Sequence, residues 1–371
     1  TTIGARDFLV AYNVNLNTTS TRRANAIAFD IREAGRVLNE GGKPVMDENG
    51  EPKRVPGTLK AVKGIGWYIE EYGIAQLSLN LTNINITPVH VAFEEACKKA
   101  HDRGIRVTGS ELVGLIPKKS LLDAADYFLK KQERSLGISE REKIKIAIKS
   151  LGLDDLAPFN PEDKIVEYII EKNLGSGKKL VDMTLNAFAN ETLSESPAPG
   201  GGSVSAYCGV LGSALAGMVA NLSAHKRGWD ARWEEFSDWA VKAKDIQDEL
   251  NWLVDEDTRS FNKIMDAFGL PKNTEEEKSV RSEAIQSASK YAMEIPLQTA
   301  RVAFKAFEVC EAMIQEGNPN SVTDAGVGAL AIRTAVLGAC YNVRVNASGI
   351  TDKTFTKTLI AEADALEKMT D

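Results

Sequence analysis

A chain of 371 residues is long enough for two domains, each with its own core. With 43% hydrophobic and 26% charged residues it has an ordinary globular composition, and its net charge of -7 excludes the basic excess that a nucleic-acid partner requires. Cys97, Cys208, Cys310 and Cys340 lie far apart with no CxxC pair, which suits reduced thiols in a cytoplasmic protein better than a disulfide framework, and nothing at the N-terminus reads as a signal peptide.

The first half alternates between strand and helix rhythms. DFLVAYNVNL sets Phe8, Val10, Tyr12, Val14 and Leu16 on one face of a strand. TSTRRANAIAFDIREAGR follows with helical spacing and an N-cap at Thr19 or Ser20. GIGWYIEEYGIAQLSLNLTNINI predicts a hairpin turning near Gly73. A helix with Pro88 near its start and Gly104 past its end comes next, then a strand in IRVTGSELVGLI and helices around 119–133 and 139–151. This is an α+β domain, a sheet layered with helices, over residues 1–173. Residues 174–180, rich in Gly, Ser and charge, are the expected linker. Strand signals then vanish, and residues 181–371 predict an all-α bundle with helices at 203–224, 229–268, 276–316, 321–346 and 351–370.

The stretch 196–224, SPAPGGGSVSAYCGVLGSALAGMVANLSA, carries no charged side chain. A transmembrane helix needs about 20 apolar residues, and length alone would allow one here. The serines, glycines and Asn221 argue instead for a buried helix, and no second span is expected, so the chain is read as not membrane-spanning. Ser205, Gly209, Ser213 and Gly217 recur every four residues, a stripe that lets another helix approach closely. Before it, Pro199, Gly200, Gly201, Gly202 and Ser203 form either a loop whose backbone can approach a ligand at a helix head or a plain helix start with Ser203 as N-cap.

Asp257 is the sharper feature. Leu250, Leu253, Asp257, Phe261, Ile264 and Phe268 step at core spacing along one helix, so an acid occupies an apolar face while Asp255 and Glu256 fall off the stripe as surface charges. Such a carboxyl is pushed toward a higher pKa and becomes a candidate acid or base, unless it sits at the rim or pairs with Arg259 or Arg301. Asp324 follows Ser321 at capping-box spacing. Asn342 and Asn346 are one turn apart, facing either a polar ligand or solvent. His225, Lys226 and Arg227 form a basic cluster at a helix end, structural or attractive to an anionic tail. No metal-ligand spacing is present. In the first half Asn13, Asn15 and Asn17 share one strand side, as do Gln76, Ser78, Asn80 and Thr82, giving a polar face that is either solvated or the lining of a groove.

Several runs carry a family resemblance. GARDFLVAYNVNL, LKAVKGIGWYIEEYGIAQLSLNL, GSELVGLIP and LGLDDLAPF resemble the second subdomain of glutamate formiminotransferase. SPAPGGGSVSAYCGVLGSALAGMV, LVDEDTRSFNKIMDAF, LPKNTEEEK, SVTDAGVGALA and GACYNVRVNASGITD resemble the formiminotetrahydrofolate cyclodeaminase domain. Together they resemble the bifunctional formiminotransferase-cyclodeaminase family across nearly the whole chain. The resemblance implies folate-dependent one-carbon chemistry in histidine degradation, with tetrahydrofolate as substrate and carrier and no metal or redox cofactor. The implied reaction closes 5-formiminotetrahydrofolate to 5,10-methenyltetrahydrofolate with release of ammonia. It also implies Asp257 as the catalytic acid/base, with Asp324 orienting the formimino nitrogens or holding the cationic amidinium, and Pro199 to Ser203, Asn342 and Asn346 against the folate. His225, Lys226 and Arg227 would meet a polyglutamyl tail, Asn13, Asn15 and Asn80 would belong to the transferase folate groove, and the protein would be a homo-oligomer built from dimers. The family's transferase histidine lies in the first subdomain and this sequence opens where the second begins, so only the folate-binding half of the transferase is expected. The alternatives are a methenyltetrahydrofolate cyclohydrolase, which shares the helical domain, and a non-catalytic folate-binding or assembly module.

Overall fold

The computed structural model describes residues 7–174 and 179–370. The chain forms two compact units. The first takes residues up to Gln132 and resumes at Ser139; the second takes Glu133–Ile138 and the chain beyond the linker region. The expected linker at 174–180 contains residues 175–178, which lie outside the described residues.

The first unit is built on a four-stranded antiparallel sheet. Its strands are β1 (Val10–Leu16), β2 (Val62–Ile69), β3 (Ile74–Leu81) and β4 (Val107–Val113), in the order β2-β3-β1-β4. The hairpin β2-β3 pairs Ile69 with Ile74 and turns through Gly73, whose φ of +65° is left-handed backbone that glycine adopts without strain. Alternation decides the faces. Val10, Tyr12, Val14 and Leu16 are fully buried with Ala24, Ile27, Ala28 and Ile31 of α1 (Thr21–Ile31), which Ser20 caps by accepting from the Arg23 N–H. Phe8, expected on the same strand face, precedes β1 and is exposed. Helices α2 (Val89–His101), α3 (Lys118–Lys131) and α4 (Glu140–Leu151) complete the layer. Two short helices, α5 (Pro161–Lys164) and α6 (Val166–Leu174), and two pairs of two-residue strands between positions 36 and 55 had no sequence signal strong enough to predict.

The second unit is helical throughout its described length: α7 (Leu185–Leu193), α8 (Gly201–Ala224), α9 (Trp233–Phe268), α10 (Glu275–Glu316), α11 (Val322–Asn346) and α12 (Lys353–Met369), with single turns of 3-10 helix between some of them. The uncharged α8 is central, packing on α9, α10 and α11, so a charge on most of its positions would be buried without a partner. Small residues set the spacing. A Cβ on Gly209 would stand 2.9 Å from the Leu250 side chain and one on Gly217 3.1 Å from Ala243, both on α9. The tightest backbone approach is one position off the expected stripe: a Cβ on Gly212 would lie 2.6 Å from Ile332 Cγ1 and 2.8 Å from the Gly328 carbonyl. Gly212→Val should therefore overpack the α8–α11 seam and destabilise the unit by about 1–3 kcal/mol, read from the denaturant midpoint at unchanged m-value.

One expectation is corrected. Besides Gly201–Ala224, a second segment, Pro319–Asn346, is long and apolar enough by length and composition to cross a membrane. Its alanines, glycines and valines surround only Asp324, Arg333 and Arg344, and Arg344 is ion-paired to Asp364 and Glu367 of α12. Both segments are bundle helices here, packed along each other.

Candidate active site

The first N–H groups of a helix lack intrahelical partners. At the head of α8 the N-cap is Gly200 and the next two residues are glycines, so no local side chain can serve them. The partner comes from α9: Oδ2 of Asp257 accepts from the Ser203 backbone N–H at 2.8 Å and from the Ser203 hydroxyl at 3.0 Å. The glycines make room for it. A Cβ on Gly202 would stand 2.1 Å from Oδ1 of Asp257 and 2.5 Å from its Cγ. Burial pushes the Asp257 carboxyl above the usual aspartate range, with the two Ser203 hydrogen bonds opposing the shift.

A cavity of about 180 Å³ opens on this carboxylate. Of the residues singled out from sequence, Gly200, Gly201, Asp257, Asn342 and Asn346 line it. Pro197, Ala198, Thr258, Ser260, Phe261, Ile264 and Ala292 complete the lining and were not singled out as site residues, although Phe261 and Ile264 belong to the recognised stripe. Pro199, Gly202 and Ser203 are buried behind the lining rather than on it, and Ser203 is fully inaccessible. Because α8 starts at Gly201, Ser203 falls in the first turn and is not the N-cap. Among the described residues Asp257 is the one ionisable side chain on the lining.

The two asparagines are held by backbone. Asn342 donates its amide to the Gly338 carbonyl one turn back at 2.8 Å. Asn346 donates to the Ala292 carbonyl of α10 at 2.7 Å. That carbonyl is free for a definite reason: its helical partner four residues on would be the N–H of residue 296, and residue 296 is proline, inside the helix. Each amide nitrogen gives one of its two N–H donors to the backbone, so each side chain keeps its carbonyl oxygen and a second N–H to offer a ligand.

Other candidates lie elsewhere. Asp255 and Glu256, expected as surface charges, are 8% and 4% exposed. Asp255 accepts from the Leu180 N–H at 2.6 Å, and Glu256 accepts from the Tyr291 hydroxyl and Arg259, each at 2.6 Å. The stripe fails as a guide beyond Leu253 because neighbouring segments cover a different side of α9 there, leaving Phe261 and Phe268 38% and 50% exposed. Neither arginine considered for Asp257 reaches it, since Arg259 pairs with Glu256 and Arg301 with Glu362. Asp324 stands in the first turn of α11, 18 residues before Asn342 and so about 27 Å away along the helix. Ser321 is the N-cap there but its side chain makes no capping bond. His225, Lys226 and Arg227 follow the far end of α8, about 35 Å from its head. His225 Nε2 accepts from the Ser135 N–H, and burial, with Arg134 nearby, lowers its pKa.

In the first unit Asn13 and Asn15 are buried on the sheet face opposite Tyr12. Asn13 donates to Glu111 at 3.2 Å, Asn15 to Asp155 at 2.9 Å, and Gln76 donates to both Asn15 and Glu111. Asn80, on the same face, is exposed. The polar strand face is thus a hydrogen-bonded network around two carboxylates, open at Asn80. Among the described residues no group of three His, Cys, Asp or Glu side chains is placed to hold a metal ion.

The chain thus joins an α+β unit to a helical bundle in which a half-buried carboxylate sits under a glycine-rich helix head. Comparison with known proteins agrees with both parts. The family model described as Formiminotransferase-cyclodeaminase matches residues 184–365, and the model described as Formiminotransferase domain matches residues 11–171. The Formimidoyltransferase-cyclodeaminase of Gallus gallus is 40% identical over 355 residues, covering 96% of this chain and 62% of the relative. The Methenyltetrahydrofolate cyclohydrolase of Methylorubrum extorquens is 34% identical over 183 residues, covering 49% of this chain and 88% of the relative. The Glutamate formimidoyltransferase of Thermoplasma acidophilum is 37% identical over 127 residues, 34% of this chain and 35% of the relative. The chain belongs to the formiminotransferase-cyclodeaminase family. It spans 62% of the length of the relative from Gallus gallus.

Proposed function

We propose that the helical unit is a formimidoyltetrahydrofolate cyclodeaminase and that Asp257 relays its protons. The observation that carries this reading is the cavity whose sole ionisable lining group among the described residues is a carboxyl of raised pKa. A protonated formimino group is a planar cation rich in N–H donors. The acceptors around the cavity, Asp257 and the carbonyl oxygens of Asn342 and Asn346, suit it. About 180 Å³ is below the range of drug-sized pockets, so only the reacting end of the folate enters, with exposed Phe261 beside it to receive the pterin face.

The steps balance. N10 attacks the formimino carbon and forms the new C–N bond, and the proton on N10 passes to the Asp257 carboxylate. The carboxylic acid then protonates the amino group of the aminal, its C–N bond breaks, and ammonia leaves with that electron pair. A ring-nitrogen lone pair closes the methenyl cation, and Asp257 ends as it began. One group serving as base and then acid needs a pKa lifted toward neutrality.

The assay is the absorbance of 5,10-methenyltetrahydrofolate from 5-formiminotetrahydrofolate, with ammonia measured in parallel. Stoichiometric formation of both is expected. Hydrolysis of methenyltetrahydrofolate without ammonia release would instead establish the cyclohydrolase reading, which the Methylorubrum relative supports. Folate binding with neither reaction would leave a binding or assembly module. For the first unit we propose the folate-binding half of the transferase, its groove running along the polar sheet face. We further propose assembly from dimers in the cytoplasm and a polyglutamylated substrate. Exposed Leu211, Met218, Leu222, Val327, Leu330 and Val345 on α8 and α11 support a covered apolar face, and the free cysteines support a reducing compartment.

A further inference from the structure

We propose that Ser203 is the positioning residue of this site: it holds Oδ2 of Asp257 and leaves Oδ1 as the oxygen that exchanges protons with the substrate. The inference rests on the reading of Asp257 as the relay. A serine at a glycine-rich helix head resembles a ligand contact, but Ser203 is fully buried, so no substrate can touch it. Both of its polar donors converge on one oxygen, at 2.8 and 3.0 Å. No donor among the described residues bonds to Oδ1, which lies against the bare Cα of Gly202. Two donors on one oxygen fix the carboxylate plane as well as its position, because the second prevents rotation about the first.

The charged surroundings leave this assignment to Ser203. On α9 itself Asp255 is bonded to the Leu180 N–H, and Glu256 is paired with Arg259, with Lys263 close by. The stretch from 196 to 224, which includes all of α8, contains no charged residue. From α10, Tyr291 turns its hydroxyl to Glu256, and Lys290 pairs with Asp352. From α11 the facing groups are the neutral Asn342 and Asn346, while Arg344 is bound to α12. Burial and Ser203 are therefore the opposing influences on Asp257.

The test uses the full chain with its aspartate carboxyl carbons labelled. The Asp257 resonance is assigned by its loss in Asp257→Asn and titrated by NMR. Ser203→Ala should move its midpoint up by about one pH unit, the value of one hydrogen bond to a charged group, with the backbone N–H bond retained. Ser203→Cys, a weaker donor, should fall between. In turnover the rising limb of kcat/KM for ammonia release should move by the same interval while KM on the plateau is unchanged. An unmoved midpoint overturns the proposal. So does a raised KM with an unmoved limb, because Ser203 would then be a substrate contact. If the midpoint moves but Asp257→Asn still releases ammonia, the anchoring of Oδ2 stands and the relay reading is what fails.

Discussion

Asp257→Asn should lower kcat for ammonia release by about 10²–10⁴-fold, the usual contribution of a positioned acid/base, while KM changes little. The amide keeps an oxygen that can accept from Ser203, so the head of α8 retains its cap and the cavity its shape. The same variant should be more stable than the parent near pH 7. The folded-state pKa of Asp257 is raised, so its ionisation opposes folding. That penalty is absent well below the ordinary aspartate value, grows as pH rises through the interval between the unfolded and folded values, and is complete above it. The melting temperatures of the two proteins should therefore converge on acidification and separate toward neutrality. A variant that loses both activity and stability at pH 7 would mark Asp257 as a helix cap alone, and a variant that keeps its activity would remove it from the mechanism.

Gly202→Ala is expected to act on the same carboxylate from the other side. Alanine is the better helix former by about 1 kcal/mol, and at an open helical glycine that gain appears as stability. Gly326 of α11 is such a position, with nothing within 4 Å of its would-be Cβ. At Gly202 the added methyl would stand 2.1 Å from Oδ1, so Asp257 has to move. Overpacking of about 1–3 kcal/mol outweighs the propensity, and a displacement near 1 Å is enough to lose about 10²-fold in rate. Gly326→Ala should raise the melting temperature with activity intact, whereas Gly202→Ala should lower both. Equal behaviour of the two would mean that the approach of Asp257 to the α8 head is looser than its hydrogen bonds indicate.

Much of this architecture is legible in the sequence because it is local. The alternation in β1, the turn at Gly73, the cap at Ser20 and the long amphipathic helices depend on a few adjacent residues. Asp257 stood out because an acid broke an apolar spacing. What was illegible depends on which neighbour covers which side. The α9 stripe was extrapolated past Leu253, but the Leu180 segment and α10 come over the side bearing Asp255 and Glu256. The sequence leaves Ser203 in either a ligand loop or an N-cap, because helix starts are uncertain by a residue or two, and a start at Gly201 puts it instead in the first turn. Asp324 and the 225–227 cluster carried chemistry-bearing side chains, but sequence spacing does not say at which end of a long helix a cavity opens. Phe261 was visible as an apolar position, and only the cavity beside it gives its exposure a use.

Pro296 gives α10 an imperfection that reaches into the site. Its missing N–H leaves one carbonyl for Asn346, so a side chain on α11 is located by a gap in the hydrogen bonding of another helix. Repairing that gap with a better helix former would straighten the local ladder and add a competitor for the Ala292 oxygen, freeing Asn346 to turn. Selection or engineering for helix stability alone would therefore loosen the cavity lining at Asn346 first, through Pro296, a residue that is not on that lining. The proline is a constraint shared by two helices, and α10 and α11 can be optimised only together.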